Sequence, residues 1–189
     1  MTFPEELLTS RLVARRLLPG DLDLLTGMHA DPAVMATLGG VRSREETVGF
    51  LDRLLEHWRV HGFGLWLLQS REDGQFVGRG GLLTVEVDAQ AEVELAYALT
   101  ARWWGRGLAT ELALSSVRLA FEVLAVPSLI CMTLPINAAS RRVMHQAGFR
   151  YEKDVLHRGL PHVLCRISGE RWTELSHQPV YRNLPALPS

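Results

Sequence analysis

The residues from Leu99 to Glu111 read Leu-Thr-Ala-Arg-Trp-Trp-Gly-Arg-Gly-Leu-Ala-Thr-Glu, a pattern that could bind an anion. A strand-like run ends at Leu99, a helix-like run begins near Leu108, and Gly105 and Gly107 lie between them. The first backbone N–H groups of a helix have no partner within the helix, and the helix dipole favours negative charge at that end. Glycines let an anion approach these groups closely. The segment therefore predicts a phosphate site.

Two common phosphate motifs do not fit this turn. A P-loop requires Gly-Lys-Ser/Thr, whereas Gly107 is followed by Leu108, Ala109 and Thr110. A dinucleotide fingerprint requires a third glycine or an alanine three residues after the second glycine, and Thr110 stands there. The phosphate must therefore belong to another class of ligand.

Strands and helices alternate around this turn. The preceding strand, Glu92 to Leu99, alternates apolar and polar residues, and the following helix is expected from about Arg106 to Leu124. A buried-type strand from Ser128 to Leu134 comes next, and then a short helix from Asn137 to Ala147, ended by Gly148. This order favours a sheet with a helix packed beside the turn.

The remaining segments complete a mixed fold. Ser43 and Glu46 form a capping box that opens a helix. The other expected strands are Leu12 to Leu17, Phe63 to Gln69, Phe76 to Val87, Phe149 to His157 and Pro161 to Ile167. We predict an α/β (α+β) domain whose central, twisted, mixed and mostly antiparallel sheet has about six to seven strands and about four flanking helices.

Bulk properties limit the classes of function. A chain of 189 residues with 47% apolar and 22% charged residues suits one domain, and its net charge of -1 argues against a nucleic-acid partner. We expect no metal, because the histidines and cysteines lack metal-ligand spacing, and no membrane partner, because no apolar run could span a bilayer. No secretory signal is recognisable, so we expect a cytoplasmic protein. The expected domain covers residues 9–175, between an N-terminal extension (1–8) and a loose, proline-containing tail (176–189).

Four segments resemble one known family, the GNAT superfamily of N-acetyltransferases. The run from Glu94 to Leu99, with Trp104-Gly105-Arg106-Gly107-Leu108-Ala109-Thr110-Glu111, resembles its central motif, Gln/Arg-x-x-Gly-x-Gly/Ala. The motif falls on positions 104, 107 and 109, with Trp104 in place of Gln or Arg. The segment Asn137 to Phe149 is similar to the Asn-x-x-Ser…Gly-Phe helix of the RimJ/RimL-like branch, and Thr9 to Arg15 and Gly62 to Trp66 resemble its first strands.

The resemblance, which covers residues 9–175, implies an activity. It implies a single GNAT-like domain that transfers the acetyl group of acetyl-coenzyme A directly, in a ternary complex, to a primary amine. The acceptor would be a protein N-terminal α-amine or the amine of a small molecule. An alternative is a coenzyme A-binding sensor or scaffold of the same fold with little catalytic activity. Dimers are common in this branch, so a homodimer stays open.

The resemblance also implies which residues bind the coenzyme. In the family, backbone amides of the glycine turn hold the pyrophosphate, and the end of the central strand contacts the pantetheine arm and the acetyl group. The expected coenzyme-binding residues are Tyr97, Ala98, Leu99, Trp104, Gly105, Arg106, Gly107, Leu108, Ala109, Thr110, Asn137 and Ser140.

Two catalytic residues are expected. Many family members protonate the leaving thiolate with a Tyr seven residues after the Asn, but that position is Met144, which cannot donate. Ser140 is the candidate acid, unless its hydroxyl only bonds backbone within its own helix. Glu94 is the candidate base, unless it is a solvated strand residue or a water molecule carries the proton. A weak base suits an α-amine, with a pKa of about 7.7–8.0, better than a lysine, at about 10.4.

Acidic residues cluster on the expected acceptor side. They are Glu86, Asp88, Glu92 and Glu94. Such a stretch could attract a basic peptide or a polyamine-like acceptor.

Overall fold

An eight-stranded sheet runs through the protein in the computed structural model, which describes residues 2–187. The strands are β1 (Glu6–Leu8), β2 (Leu12–Arg16), β3 (Leu65–Ser70), β4 (Phe76–Val87), β5 (Gln90–Leu99), β6 (Ser128–Thr133), β7 (Arg150–His157) and β8 (Leu160–Ser168). Their order across the sheet is β1-β2-β3-β4-β5-β6-β8-β7. All neighbours are antiparallel except β5 and β6, which are parallel.

Seven α-helices accompany the sheet in the described part of the chain. They are α1 (Leu22–His29), α2 (Pro32–Met35), α3 (Arg44–His61), α4 (Leu108–Glu122), α5 (Ala138–Gln146), α6 (Gly169–Leu175) and α7 (Pro179–Arg182). The predicted capping box begins α3, because Ser43 Oγ accepts from the Glu46 amide and the Glu46 carboxylate accepts from the Ser43 amide. Within residues 2–187, no helix has both the length and the apolar character needed to cross a bilayer.

The two faces of the sheet carry different helices. On one face α4 lies against β4 and β5, and Leu112 packs so closely that a Cβ at Gly80 would come within 2.5 Å of its Cδ2 atom. On the other face Leu65 and Leu67 of β3 form a separate cluster with residues of α1 and α3. Since side chains alternate along a strand, neighbouring residues of β5 face different helix layers.

The parallel strands β5 and β6 diverge soon after they meet. Their single paired position is Glu94 with Ile130, although β5 continues to Leu99 and β6 to Thr133. Beyond Glu94, the edge of β5 that faces β6 therefore lacks a partner strand. This divergence opens the sheet between the two helix layers.

The fold class agrees with the prediction, while the element count is higher. The sheet has eight strands, because β1 joins β2 at the edge through residues expected to be only an extension. There are seven helices because the short α2, α6 and α7 were not counted. The tail was expected to be loose, but Tyr181 in α7 is buried and its hydroxyl donates to the Ala147 carbonyl at 2.7 Å.

Candidate active site

The glycine turn ends in a set of free backbone amides. Gly105 has φ 72° and Gly107 has φ 76°, so both use the left-handed region that favours glycine. Gly107 is the N-cap of α4 and supplies no side-chain cap, and the first helical bond runs from the Glu111 amide to the Gly107 carbonyl. Within the described structure, the amides of residues 105–110 have no hydrogen-bond acceptor. Free amides at the positive end of a helix dipole are the arrangement that can bind an anion.

Two tryptophans brace this turn. Trp103 is buried, and its indole Nε1 donates to the Phe76 carbonyl at 3.0 Å. Trp104 is 50% exposed, and its Nε1 donates to the Leu99 carbonyl at 2.8 Å. The residue that replaces Gln or Arg in the motif therefore stabilises the turn through its side chain, and it leaves the amides that follow free.

An ion pair joins the turn to the start of β2. Arg11 Nε donates to Glu111 Oε2 at 2.7 Å, and a terminal nitrogen of Arg11 donates to the Arg106 carbonyl at 2.8 Å. The same carboxylate accepts from the Thr9 hydroxyl at 2.5 Å. Sequence reasoning did not select Arg11, because its partner lies 100 residues away along the chain. The contact places a terminal nitrogen of Arg11 beside Gly107, while Glu111 balances the charge of the guanidinium.

Ser140 and Tyr97 form a hydroxyl pair on the α4 and α5 side of β5. Ser140 Oγ lies 2.9 Å from the Tyr97 hydroxyl and 3.9 Å from Met144 Sδ. Burial, together with the neighbouring Cys131, raises the pKa of Tyr97, so its hydroxyl stays protonated. No backbone atom of α5 accepts from Ser140 Oγ in the described chain, and the contact of this hydroxyl within its own helix is with Met144 Sδ.

Asn137 links α5 to the opposite side of the molecule. Its Oδ1 accepts from the Ser140 amide at 3.0 Å, which makes it the N-cap of α5. Its Nδ2 donates to the Thr37 hydroxyl at 3.1 Å, just after α2. The Asn137 side chain therefore bridges the two helix layers beside the divergence of β5 and β6.

Glu94 lies on the opposite face of β5, half-buried at the point where the strands diverge. Burial raises its pKa to about 7, while the charges of Arg158 and Arg79 and the backbone of Met132 act in the other direction. No ion pair or side-chain hydrogen bond holds its carboxylate among residues 2–187. A carboxyl group of this pKa can accept a proton near neutral pH.

The rest of the acidic stretch is largely neutralised. The Glu92 carboxylate accepts from Arg166 at 2.8 and 3.0 Å, and Asp88 is paired with Lys153 at 2.7 Å. The expectation that this stretch attracts a basic acceptor therefore does not hold for Glu92 and Asp88.

Arg79, which sequence reasoning missed, is buried on the same face as Glu94. Its residue is 6% exposed, and its guanidinium carbon lies 4.6 Å from the ring centre of Phe50. Burial and the charges of Arg42 and Arg158 lower its pKa to about 9, against the opposing effect of Glu94. The available signal was an arginine inside the glycine and apolar run of β4, since charged side chains are rarely buried without a partner.

The arrangement has two sides joined by the opening between β5 and β6. The free amides and the hydroxyl pair lie on one side, and Glu94 and Arg79 lie on the other. It can hold an extended anionic donor against the backbone and a polar acceptor against side chains. Within residues 2–187, no group of His, Cys, Asp and Glu side chains could hold a metal ion.

Comparison with protein families identifies the family of this chain. The family model described as "Acetyltransferase (GNAT) domain" matches residues 11–150. This range begins just before β2 and ends at the first residue of β7, so it contains the glycine turn, Glu94 and Ser140.

Solved structures share the whole architecture. An acetyltransferase from Agrobacterium tumefaciens is 26% identical with a TM-score of 0.77, covering 88% of this chain and 95% of its own. An aminoglycoside acetyltransferase in complex with coenzyme A is 18% identical with a TM-score of 0.72, covering 86% and 98%. The ribosomal-protein-S5-alanine acetyltransferase of Vibrio fischeri is 13% identical with a TM-score of 0.72, covering 88% and 98%. The structural neighbours thus include a member of the RimJ/RimL-like branch.

Proposed function

The chain belongs to the GNAT family of acetyltransferases, and from that premise we propose that it transfers the acetyl group of acetyl-coenzyme A to a primary amine. The observation that carries this proposal is the run of free amides at residues 105–110, at the start of α4 and next to the opened sheet. A structural neighbour in complex with coenzyme A supports the identity of the donor.

The residues around the turn fit an acyl-coenzyme A. The amides of Gly105, Arg106, Gly107, Leu108, Ala109 and Thr110 would bind the pyrophosphate, which needs several donors and no particular side chain. A terminal nitrogen of Arg11, beside Gly107, would add a further N–H donor. Tyr97, Ala98 and Leu99 lie along the unpaired edge of β5, where the pantetheine arm and the acetyl carbonyl would run, with Trp104 and Asn137 holding the two ends.

Glu94 would activate the acceptor. An α-amine has a pKa of about 7.7–8.0 and is mostly protonated at neutral pH, so it must lose a proton before it can attack. The Glu94 carboxylate, with a pKa of about 7, can take that proton directly or through one water molecule. The amine nitrogen then forms a bond to the acetyl carbon, and free N–H groups on the edge of β5 stabilise the negative charge on the carbonyl oxygen.

Ser140 would complete the transfer. As the carbon–sulfur bond breaks, the sulfur gains an electron pair and needs a proton. Ser140 Oγ can supply it, and a proton from solvent then restores the Ser140 hydroxyl. The Tyr97 hydroxyl at 2.9 Å, which burial keeps protonated, holds the Ser140 oxygen in place by a hydrogen bond. Met144, in the place of the family's usual Tyr, is buried and is no donor.

An amine panel tests the proposal against the sensor alternative. Incubation with acetyl-coenzyme A and each amine should release free thiol, with acetylated amine formed in equal amount. In parallel, coenzyme A at about 100 times its Kd should stabilise the fold by about 2.7 kcal/mol, and ATP should do so much less. Stabilisation by coenzyme A without turnover of any amine would favour the sensor, and preference for ATP would remove the donor assignment.

A further inference from the structure

Arg79 is a buried cation whose hydrogen-bonding capacity is unused. A guanidinium group has five N–H donors in its plane, yet no nitrogen of Arg79 donates to a described residue, and Nε is fully enclosed. The Phe50 ring, 4.6 Å from the guanidinium carbon, can cover only the flat face of the group. The two terminal nitrogens are not enclosed and have no partner among the described residues, so their N–H groups are free to bind an acceptor from outside the chain, which would offset the cost of burying the charge.

The surroundings of Arg79 carry excess positive charge. Arg42 lies over the same Phe50 ring at 5.0 Å, and Arg158 stands at the turn between β7 and β8. His29 is neutral, since burial and the charges of Arg79 and Arg42 lower its pKa to about 4. The neighbouring acids are Glu46, which caps α3, and Glu94, which forms no ion pair with Arg79.

Arg79 and Glu94 face the same side of adjacent strands. Arg79 pairs with Ala98 across β4 and β5, and Glu94 lies four residues before Ala98 on β5. Both side chains therefore extend into the layer between the sheet and α3, and each influences the charge of the other. Four strand residues span about 13 Å between Cα atoms, and the long side chains of Arg79 and Glu94 can shorten the gap that a bound acceptor has to bridge between the two charges.

From this geometry we propose that the acceptor is a small amino carboxylate, whose amine is acetylated beside Glu94 while its carboxylate binds Arg79. The inference rests on the proposed acetyl transfer and adds the acceptor class. A guanidinium and a carboxylate form two parallel hydrogen bonds, which would use two of the five N–H donors of Arg79, one on each terminal nitrogen. Polyamines and other polycationic acceptors would instead bring further positive charge towards Arg42, Arg79 and Arg158.

Matched acceptors test the class. The common amino acids, the corresponding amino acid amides and diaminobutane are compared as acceptors with acetyl-coenzyme A. Amino acid and amide share the α-amine and differ in the carboxylate, so the best amino acid should exceed its own amide by at least about tenfold in kcat/KM. An amide or a diamine that is used as well as or better than the amino acids overturns the inference and leaves the acetyltransferase proposal intact.

Variants locate the effect. Arg79→Gln should lower kcat/KM for the best amino acid by about 10- to 100-fold, leave its amide within about twofold and leave the KM for acetyl-coenzyme A unchanged. The control is Arg53→Gln, an exposed arginine of α3 that loses the same charge and should keep wild-type selectivity. If Arg79→Gln does not fold, Arg79→Lys keeps the charge but loses the paired geometry, and its unchanged selectivity would overturn the inference.

A binding measurement separates the two proposals. With coenzyme A present, propionate, which has no amine, should raise the Tm of the wild type and not that of the Arg79 variants. If this shift occurs while no amine is acetylated, the carboxylate site stands and the acetyltransferase proposal fails. If there is neither a shift nor a preference for amino acids, the carboxylate site itself is wrong.

Discussion

At the start of α4 the polar groups without a partner are the backbone amides of residues 105–110. On the other face of β5 the polar groups are charged side chains, those of Arg79, Arg42 and Glu94. The first group depends on two left-handed glycines and on braces from Trp103 and Trp104. The second depends on a buried arginine without a partner and a carboxyl group with a raised pKa. The two sides of one strand thus use different chemistry.

The difference explains why the donor is easier to identify than the acceptor. Backbone amides bind an anion whatever side chain they carry, so Trp104 can replace Gln or Arg without removing them. On the other face a single substitution at Arg79 or Glu94 changes both charge and hydrogen bonding. A family can therefore keep one donor and accept many different substrates.

Replacement of Glu94 should have the largest effect on kcat, and it should leave coenzyme binding at the glycine turn unchanged. Glu94→Gln should lower kcat by about 100-fold or more at pH 8, because it removes the proton acceptor. In the wild type, kcat should rise with pH through about 7, as Glu94 loses its proton. Burial raises the pKa of this carboxyl group. The groups that face it and act in the other direction are Arg158 on the β7–β8 turn, the backbone of Met132 on β6 and Arg79 on β4. The measurement is a pH profile of kcat for both proteins.

A second carboxylate of the same sheet provides a control for Glu94→Gln. Glu86→Gln removes an exposed carboxylate of β4 and should keep the wild-type pH profile. Glu94→Gln should not lower the Tm at neutral pH, because it removes a charge that burial disfavours. A Glu94→Gln profile that still rises through pH 7 would assign the proton acceptor to another group.

Replacement of Ser140 should have the next largest effect, at the boundary between the two sides. Ser140→Ala should lower kcat by about 10- to 100-fold with little change in the KM for acetyl-coenzyme A, since it removes the proton donor and leaves the turn intact. Tyr97→Phe, which removes the 2.9 Å partner, should have a smaller effect, about threefold to tenfold. Ser140→Thr keeps a hydroxyl and should retain more activity than Ser140→Ala. If all three variants keep the kcat of the wild type, the proton that the leaving thiolate receives comes from solvent.

Local patterns predicted most of the fold and the backbone of the glycine turn. The glycine turn, the Ser43 capping box and the Asn137 helix are set by residues close in sequence, and the structure has them where they were expected. β1 was missed because three residues carry too little periodicity. The packing of Tyr181 was missed because the prolines around it are typical of a loose tail, whereas the contact that holds it lies far away in sequence.

The acceptor side was predicted only in part, for a physical reason. Glu94 could be proposed from its place on the strand before the turn, but its raised pKa comes from burial, against the opposing charges of Arg158 and Arg79, and no local pattern shows that burial or brings these arginines to it. Arg79 becomes important only once α3 places Phe50 over it. The roles proposed for Ser140 and Glu94 stay predictions until the variants are measured.

The smallest expected effect concerns the glycine turn, where backbone strain can be separated from the binding of the coenzyme. Gly105 and Gly62 have nearly equal left-handed φ values, 72° and 71°, and a Cβ at either position would meet open space. Alanine at each should therefore cost similar stability, about 1 kcal/mol, from backbone strain alone. Only Gly105→Ala changes the path of the free amides, so only it should raise the KM for acetyl-coenzyme A, by about threefold to tenfold.

Gly62 makes the matched control because it ends α3, away from the turn. Unfolding curves should show equal losses for the two variants, and steady-state kinetics should separate them, with kcat and acceptor selectivity unchanged in both. A higher KM in both variants would mean that strain, and not the amide array, sets coenzyme affinity. An unchanged KM in Gly105→Ala would mean that the amides beyond Gly107, on the rigid helix, hold the phosphate by themselves.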